Sequence, residues 1–249
     1  MKQTIFDIDV YNLKMKDFVE LIESKIYCSE PTHVLGINAE KIVDIKKNKK
    51  LKRIVNSADI VHADGVSVVL ASVILKKVIK ERVAGIDLMV ELLKLSEEKN
   101  FTVYFLGASE YVLNKLEEKI RKKYPNLKIK GFRNGYFTKK EWEEIGSELK
   151  KIRPQLVFVG ITSPKKEYVI DYFINKGVNS VFMGVGGSFD VLSGEIKRAP
   201  YYMQKCNLEW LFRLIQEPRR LIKRYFIGNM KFIYFTFEEK LKQVRGQDE

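Results

Sequence analysis

The chain reads as an α/β protein, a parallel sheet flanked by helices, followed by a helical appendage. Three observations predict this. Apolar runs alternate with amphipathic helical patterns up to about residue 195. Several of these apolar runs lack the in–out alternation of a half-exposed strand, as expected for strands covered on both faces. Beyond residue 195 no strand-like run follows.

Taken in order, the predicted strands are Thr32–Asn38, Ile60–Ala63, Thr102–Leu106, Lys128–Phe132, Leu156–Gly160 and Ser180–Gly184. Helical patterns occupy, among others, Ile86–Lys99, Tyr111–Lys123, Lys139–Lys151 and Lys165–Lys176. Strand–helix alternation of this kind gives a parallel sheet with helices on both faces. There is no internal repeat, low-complexity tract or Gly/Ser linker. After the boundary, Leu208, Leu211, Phe212 and Ile215 recur at helical spacing, and Leu221–Phe237 mixes Tyr, Phe and Ile with Arg and Lys. Residues 1–195 are therefore expected to form the core and residues 196–249 the appendage.

At 249 residues the chain buries roughly three quarters of its unfolded surface and needs no staples to fold. Cys28 and Cys206 match no metal spacing, and a reduced, cytosolic protein is expected. The first residues show no signal-peptide apolar core, and no run of about 20 apolar residues is present to span a bilayer.

The formal net charge is +13. Such a balance points to phosphates, nucleic acid or an anionic membrane as partner. Between Lys197 and Thr236, Lys197, Arg198, Lys205, Arg213, Arg219, Arg220, Lys223, Arg224 and Lys231 face only Glu209 and Glu217, so this stretch alone contributes +7, over half of that charge. Its bulky apolar residues argue against a merely solvated face and suit a membrane interface, where cations meet lipid phosphates. RNP-like and helix-turn-helix patterns are missing, which argues against a nucleic-acid module. Apolar faces left uncovered in water would also favour a homo-oligomer.

Ligands of open α/β sheets bind at the carboxyl ends of the strands. Four such ends carry suggestive residues: Gly36 to Glu40, Ala63-Asp64-Gly65, Ser163 to Glu167, and Gly184 to Asp190. Glycines after the last strand let backbone approach an anion, though the same run also reads as a tight turn without a ligand. It is neither a G-x-G-x-x-G fingerprint nor a Walker loop. Asp64 reads either as a general base or as a helix N-cap. No metal site is expected: the only histidines are His33 and His62, and Asp7-Ile8-Asp9 precedes the core. Arginines are the alternative source of positive charge for a phosphate.

The runs Gly184-Val185-Gly186-Gly187-Ser188-Phe189-Asp190, Ser193-Gly194, Lys197-Arg198-Ala199-Pro200, Leu208-Glu209-Trp210-Leu211, Arg213-Leu214 and Glu217-Pro218 resemble the WecG/TagA/CpsF family, glycosyltransferase family 26. So do Asn38-Ala39-Glu40, Ala63-Asp64-Gly65, Glu81-Arg82-Val83-Ala84-Gly85, Gly135-Tyr136-Phe137 and Pro164-Lys165-x-Glu167. The likeness covers roughly residues 5–235 in the family's motif order. It implies a Rossmann-like fold of the GT-E type and an inverting transferase that works without metal or other cofactor. The implied donor is UDP-N-acetylmannosamine or a related UDP-sugar, including UDP-glucose or a UDP-uronic acid. The implied acceptor is undecaprenyl-diphosphate-linked N-acetylglucosamine at the cytoplasmic face of the membrane, for teichoic acid, common antigen, capsule or exopolysaccharide.

By the same resemblance, Asp64 is the general base, and Asn38 and Arg82 line the sugar and diphosphate pocket. Gly184, Gly186 and Gly187 hold the nucleotide, with Asp190 and Tyr136 near the uridine. Arg213, Arg220 and Lys223 neutralise the leaving diphosphate. Two positions depart from the pattern. Gly36 stands where the teichoic-acid branch has Thr, and Lys166 where the family commonly has Gln. The surrounding residues lie closer to the branch that transfers a uronic acid, and Lys166 is expected to meet a negative group on the donor. Two competing classes are a basic nucleotide- or RNA-binding module and a membrane scaffold with a degenerate fold.

Overall fold

The computed structural model describes residues 2–245, with the side chains of Arg220, Lys223, Arg224 and Arg245 outside the described set. Six parallel strands form one sheet: β3 (Thr32–Ile37), β4 (Ile60–Ala63), β5 (Thr102–Gly107), β6 (Lys128–Arg133), β7 (Leu156–Gly160) and β8 (Val181–Gly184). They lie in the order β4-β3-β8-β7-β5-β6. Each strand matches a run read as a strand from the sequence. Helices α1 (Met15–Tyr27), α5 (Gly85–Glu98), α6 (Glu110–Lys123) and the short α9 (Ser188–Leu192) cover one face. The other face carries α2 (Ala39–Lys47), α3 (Lys49–Ser57), α4 (Val66–Ile74), α7 (Trp142–Ile152) and α8 (Lys165–Asn175).

Neighbouring residues of one strand serve opposite cores. Val34 packs with Leu88, Leu92 and Phe105, whereas Leu35 packs with Ile42 and Leu51. Val103 and Tyr104 divide in the same way. This two-sided burial is why strands such as β3 and β5 show no polar alternation.

β5 and β7 are neighbours, yet α6 leads from β5 to one side and α8 leads from β7 to the other. That reversal makes a switch-point crevice at their carboxyl ends, where Gly107 pairs with Gly160. No side chain fits there. A Cβ on Gly107 would lie 2.4 Å from the Gly160 backbone, and one on Gly160 would lie 2.4 Å from the Phe189 ring. Gly107 also has φ +143°, a conformation only glycine adopts easily.

An antiparallel hairpin, β1 (Lys2–Ile5) and β2 (Ile8–Tyr11), precedes the sheet. Its turn places Phe6 and Asp7 at φ 53° and 62°. Such turns normally use Asn or Gly, so the pattern is hidden in the sequence. Burial offsets the cost here: Phe6 is fully enclosed, its ring 5.6 Å from that of Phe232. Asp7 pairs with Lys52 at 2.9 Å, and Asp9 accepts a bond from Thr4 at 2.7 Å. Both acids are thus engaged in holding the hairpin.

After β8 the chain is helical, as expected, with α10 (Tyr201–Lys205), α11 (Glu209–Gln216) and the long α12 (Pro218–Arg245). α12 lies on α2 and α4, and its Leu221, Phe232 and Thr236 are buried. Its other face exposes Ile222, Phe226, Met230, Phe237 and Leu241. Among the described residues no helix is long and apolar enough to cross a membrane.

Two histidines sit inside strands, buried. Burial pushes His33 down to about 4, and His62 is lowered for the same leading reason. In the unfolded chain both protonate near 6.5. Between about pH 6.5 and 4 the unfolded state therefore binds protons that the folded state refuses, so stability falls as pH drops. For His33 alone the loss reaches about 3 kcal/mol. Urea midpoints measured across that range should fall with acid, and the slope should flatten in His33→Gln.

Candidate active site

Asn38 and Asp64 end the adjacent strands β3 and β4. Asn38 caps α2, its side chain accepting the Lys41 N–H at 3.0 Å. The N–H groups of Asp64 and Gly65 both donate to the Ile37 carbonyl, at 2.9 and 3.2 Å. Gly65 is pressed so close that a Cβ there would lie 2.8 Å from Asn38 Cβ. The two site residues are thereby locked side by side.

Asp64 Oδ1 accepts the backbone N–H of Gly85 at 2.7 Å. Gly85 is the first residue of α5, so Asp64 caps a helix 21 positions downstream rather than the α4 it precedes. The partial positive charge of that N-terminus faces the carboxylate. Asp64 Oδ2 makes no hydrogen bond among the described residues, and the residue is partly exposed. The Asp64 carbonyl accepts from Arg82 Nε at 2.9 Å, and Val83 N–H reaches the Ala63 carbonyl at 2.9 Å. Residues 82–85 thus grip the aspartate on both its backbone and its side chain.

Two strands away, the glycine turn follows β8. Lys166 lies across it. Its Cδ and Cε are 3.2 Å from where a Cβ on Gly184 would stand, and Nζ is 3.8 Å from the corresponding point on Gly186. Gly186 has φ +52°. Asp190, in the first turn of α9, has Oδ2 3.6 Å from where a Cβ on Gly187 would stand. The turn is therefore tight for a packing reason, and the packing group is a cation.

Beneath Lys166 is a buried cluster. Lys41 Nζ donates to Glu167 Oε1 and to Ser163 Oγ, each at 2.5 Å, and Lys166 Nζ is 3.7 Å from the same carboxylate. Glu167 is 0% exposed. Burial by itself would raise its carboxyl; Lys166 and Lys41 outweigh that and hold it below the usual carboxylate range. Burial lowers the Lys41 ammonium, and Glu167 opposes the shift. One carboxylate, that of Glu167, thus faces two ammonium groups, one of which lies beside the glycine turn.

Arg82 reaches the appendage. Its Nη2 pairs with Glu209 Oε2 at 2.5 Å and its Nη1 donates to Asn207 Oδ1 at 3.2 Å. Glu209 also takes Arg198 Nε at 3.3 Å, and Arg198 Nη2 is 2.7 Å from Asp87. Burial would raise the Glu209 carboxyl; Arg82, joined by Arg198, holds it below its ordinary value.

The structure therefore brings Asn38, Asp64 and Arg82 into one group, and Lys166, Gly184, Gly186, Gly187 and Asp190 into another on the same sheet edge. Tyr136 stands on the loop after β6, 82% exposed. Its neighbour Gly135 packs on Gly107 and Ala108 at the switch point. Arg213 is exposed on α11. Arg220 and Lys223, named above as diphosphate contacts, have side chains outside the described residues. Lys41, Glu167, Arg198 and Glu209 were given no roles from sequence, although each belongs to or adjoins one of the quoted motifs. Their partners lie 126, 11 and 127 positions away, and only folding reveals them.

A family profile described as "Glycosyl transferase WecG/TagA/CpsF family" matches residues 3–246. The chain belongs to this family. It is a glycosyltransferase of the WecG/TagA/CpsF family. Curated relatives named N-acetylglucosaminyldiphosphoundecaprenol N-acetyl-beta-D-mannosaminyltransferase include the following three. The one from Staphylococcus aureus (strain MW2) is 33% identical over 98% of this chain and 96% of its own. The one from Bacillus spizizenii is 30% identical over 87% and 84%, and the one from Bacillus subtilis (strain 168) is 31% identical over 88% and 85%. Similarity thus runs through both the sheet and the helices after it.

Proposed function

We propose that the chain transfers N-acetylmannosamine, or a related sugar or uronic acid, from a UDP-sugar to N-acetylglucosamine carried on a polyprenyl diphosphate. The observation that carries this is the setting of Asp64. One oxygen is fixed by Gly85, its backbone by Arg82, and the second oxygen has no hydrogen-bond partner among the described residues. A carboxylate so held suits a general base.

In this mechanism Asp64 takes the proton of the acceptor hydroxyl as that oxygen attacks the anomeric carbon. The bond from that carbon to the diphosphate breaks, and UDP leaves with the electron pair. Attack opposite the leaving group inverts the anomeric centre. The charge that develops on the diphosphate meets Lys166 beside the glycine turn and the arginines of the helices after residue 195, which take the place of a divalent ion. The nucleotide lies toward Gly107, Gly160 and Gly184, with Asp190 and Tyr136 at its base, because ligands of such sheets occupy the switch point.

Residues 196–249 act as an appendage that completes the site and docks on the membrane. The exposed apolar residues of α12, among basic neighbours, support this, since such a face combines insertion with attraction to anionic lipid.

The test is a transfer assay with a panel of UDP-sugars and a lipid-diphosphate-linked N-acetylglucosamine, run with and without EDTA. Transfer of one sugar, unaffected by EDTA, is the expected result; no transfer from any donor sinks the proposal. In the same panel Lys166→Gln should lower turnover about tenfold for the preferred donor, the scale of one charged contact.

A further inference from the structure

Arg82 and Arg198 converge on a single carboxylate, that of Glu209. All three side chains are partly open, at 20%, 28% and 15% exposure. Arg198 Nη2 is enclosed and has no hydrogen-bond acceptor among the described residues, since Asp87 meets it as an ion pair away from hydrogen-bond geometry. Two guanidinium forks share Glu209, and the one Nη2 that meets Asp87 does so outside hydrogen-bond geometry, so a larger anion would fill the site better.

The helices that bring Glu209 there are loosely held. Neither α10 nor α11 has a buried residue. Asn207, just before α11, takes φ +58°. The attachment of this segment to the core therefore leans on the Arg82 and Arg198 contacts, and elements with few buried apolar contacts open most readily.

We propose, on the basis of the transferase reading above, that Arg82 and Arg198 form a diphosphate site in which Glu209 is a resident placeholder. An incoming diphosphate displaces the carboxylate and takes both forks, and α11 shifts as Glu209 lets go. The diphosphate is that of the lipid-linked acceptor. The site stands at the end of β4, whereas the glycine turn and Lys166 follow β8, two strands or roughly 10 Å away along the edge. The donor's own diphosphate is served there.

The experiment measures binding of two probes, UDP and a water-soluble farnesyl-diphosphate-linked N-acetylglucosamine, to the full chain by calorimetry. Removing the competing charge with Glu209→Gln should tighten the farnesyl probe about tenfold and leave UDP unchanged. Unchanged or weaker binding of the farnesyl probe by folded Glu209→Gln overturns the placeholder and makes Glu209 a plain strut. Tightening of UDP instead overturns the assignment to the acceptor. If Glu209→Gln does not fold, Arg198→Gln decides: a loss of about tenfold for the farnesyl probe alone supports the site, and equal binding overturns it. Wild-type protein that binds neither probe overturns the transferase reading, a different failure from the ones above.

Discussion

Asp64→Asn abolishes sugar transfer while the protein stays folded and still binds UDP. The amide keeps a carbonyl oxygen for the Gly85 N–H, so the cap on α5 survives in neutral form. What is lost is the group that can take a proton. General-base catalysis contributes 10²–10⁴-fold, so kcat should fall by about that factor, roughly 3–5 kcal/mol of barrier. The cost in stability is confined to a weaker interaction with the helix N-terminus, about 0.3–1 kcal/mol. A turnover assay paired with thermal melting separates the two effects. Asp64→Ala supplies the contrast, since it removes the cap as well and should cost about 1 kcal/mol more. Turnover within about threefold of wild type in a folded Asp64→Asn would remove the aspartate from the chemistry.

The double duty of Asp64 explains why its sequence context supported two readings at once. A base and an N-cap need the same residue type at the same place, a helix start beyond a strand. From sequence the nearby helix is α4, and nothing marks α5 as the one being capped. The intervening residues 76–84 carry the chain from one face of the sheet to the other, and only that path returns Gly85 to the carboxylate.

The sheet was legible because each buried strand is a short apolar run bounded by polar helices, a local signal. The hairpin was not, because Phe6 occupies a turn position normally filled by Asn or Gly and recovers the cost through Phe232, some 226 positions later. The site was legible in outline, since glycines and acids at strand ends stand out. Its cations were legible as a count but not as a pattern. Lysines are solvent-exposed by default, and Lys41 gives no sign in the sequence that it is buried against Glu167.

That pair carries the largest expected effect on stability. Glu167→Gln keeps the shape but removes the carboxylate that the buried or half-buried Lys41 and Lys166 share. Breaking one side of a buried pair costs about 3–5 kcal/mol, so the urea midpoint should drop sharply with the slope unchanged. Because the neighbouring ammonium groups hold the Glu167 carboxyl below its usual range, the stability it provides is present above the unfolded carboxylate value near 4.5. It is lost as pH falls through the folded value, and the Glu167→Gln deficit should shrink in the same interval. Removing both charges tells a charge effect from a packing effect. Lys41→Met with Glu167→Leu should recover most of the loss, because a buried ion pair exchanged for apolar groups of similar size is often neutral. It should still not restore transfer. Without the carboxylate beneath it, Lys166 is no longer tethered over Gly184, and the cation is free to leave the place where the diphosphate charge develops. A double variant that regained both stability and full turnover would show that the cluster serves the core alone.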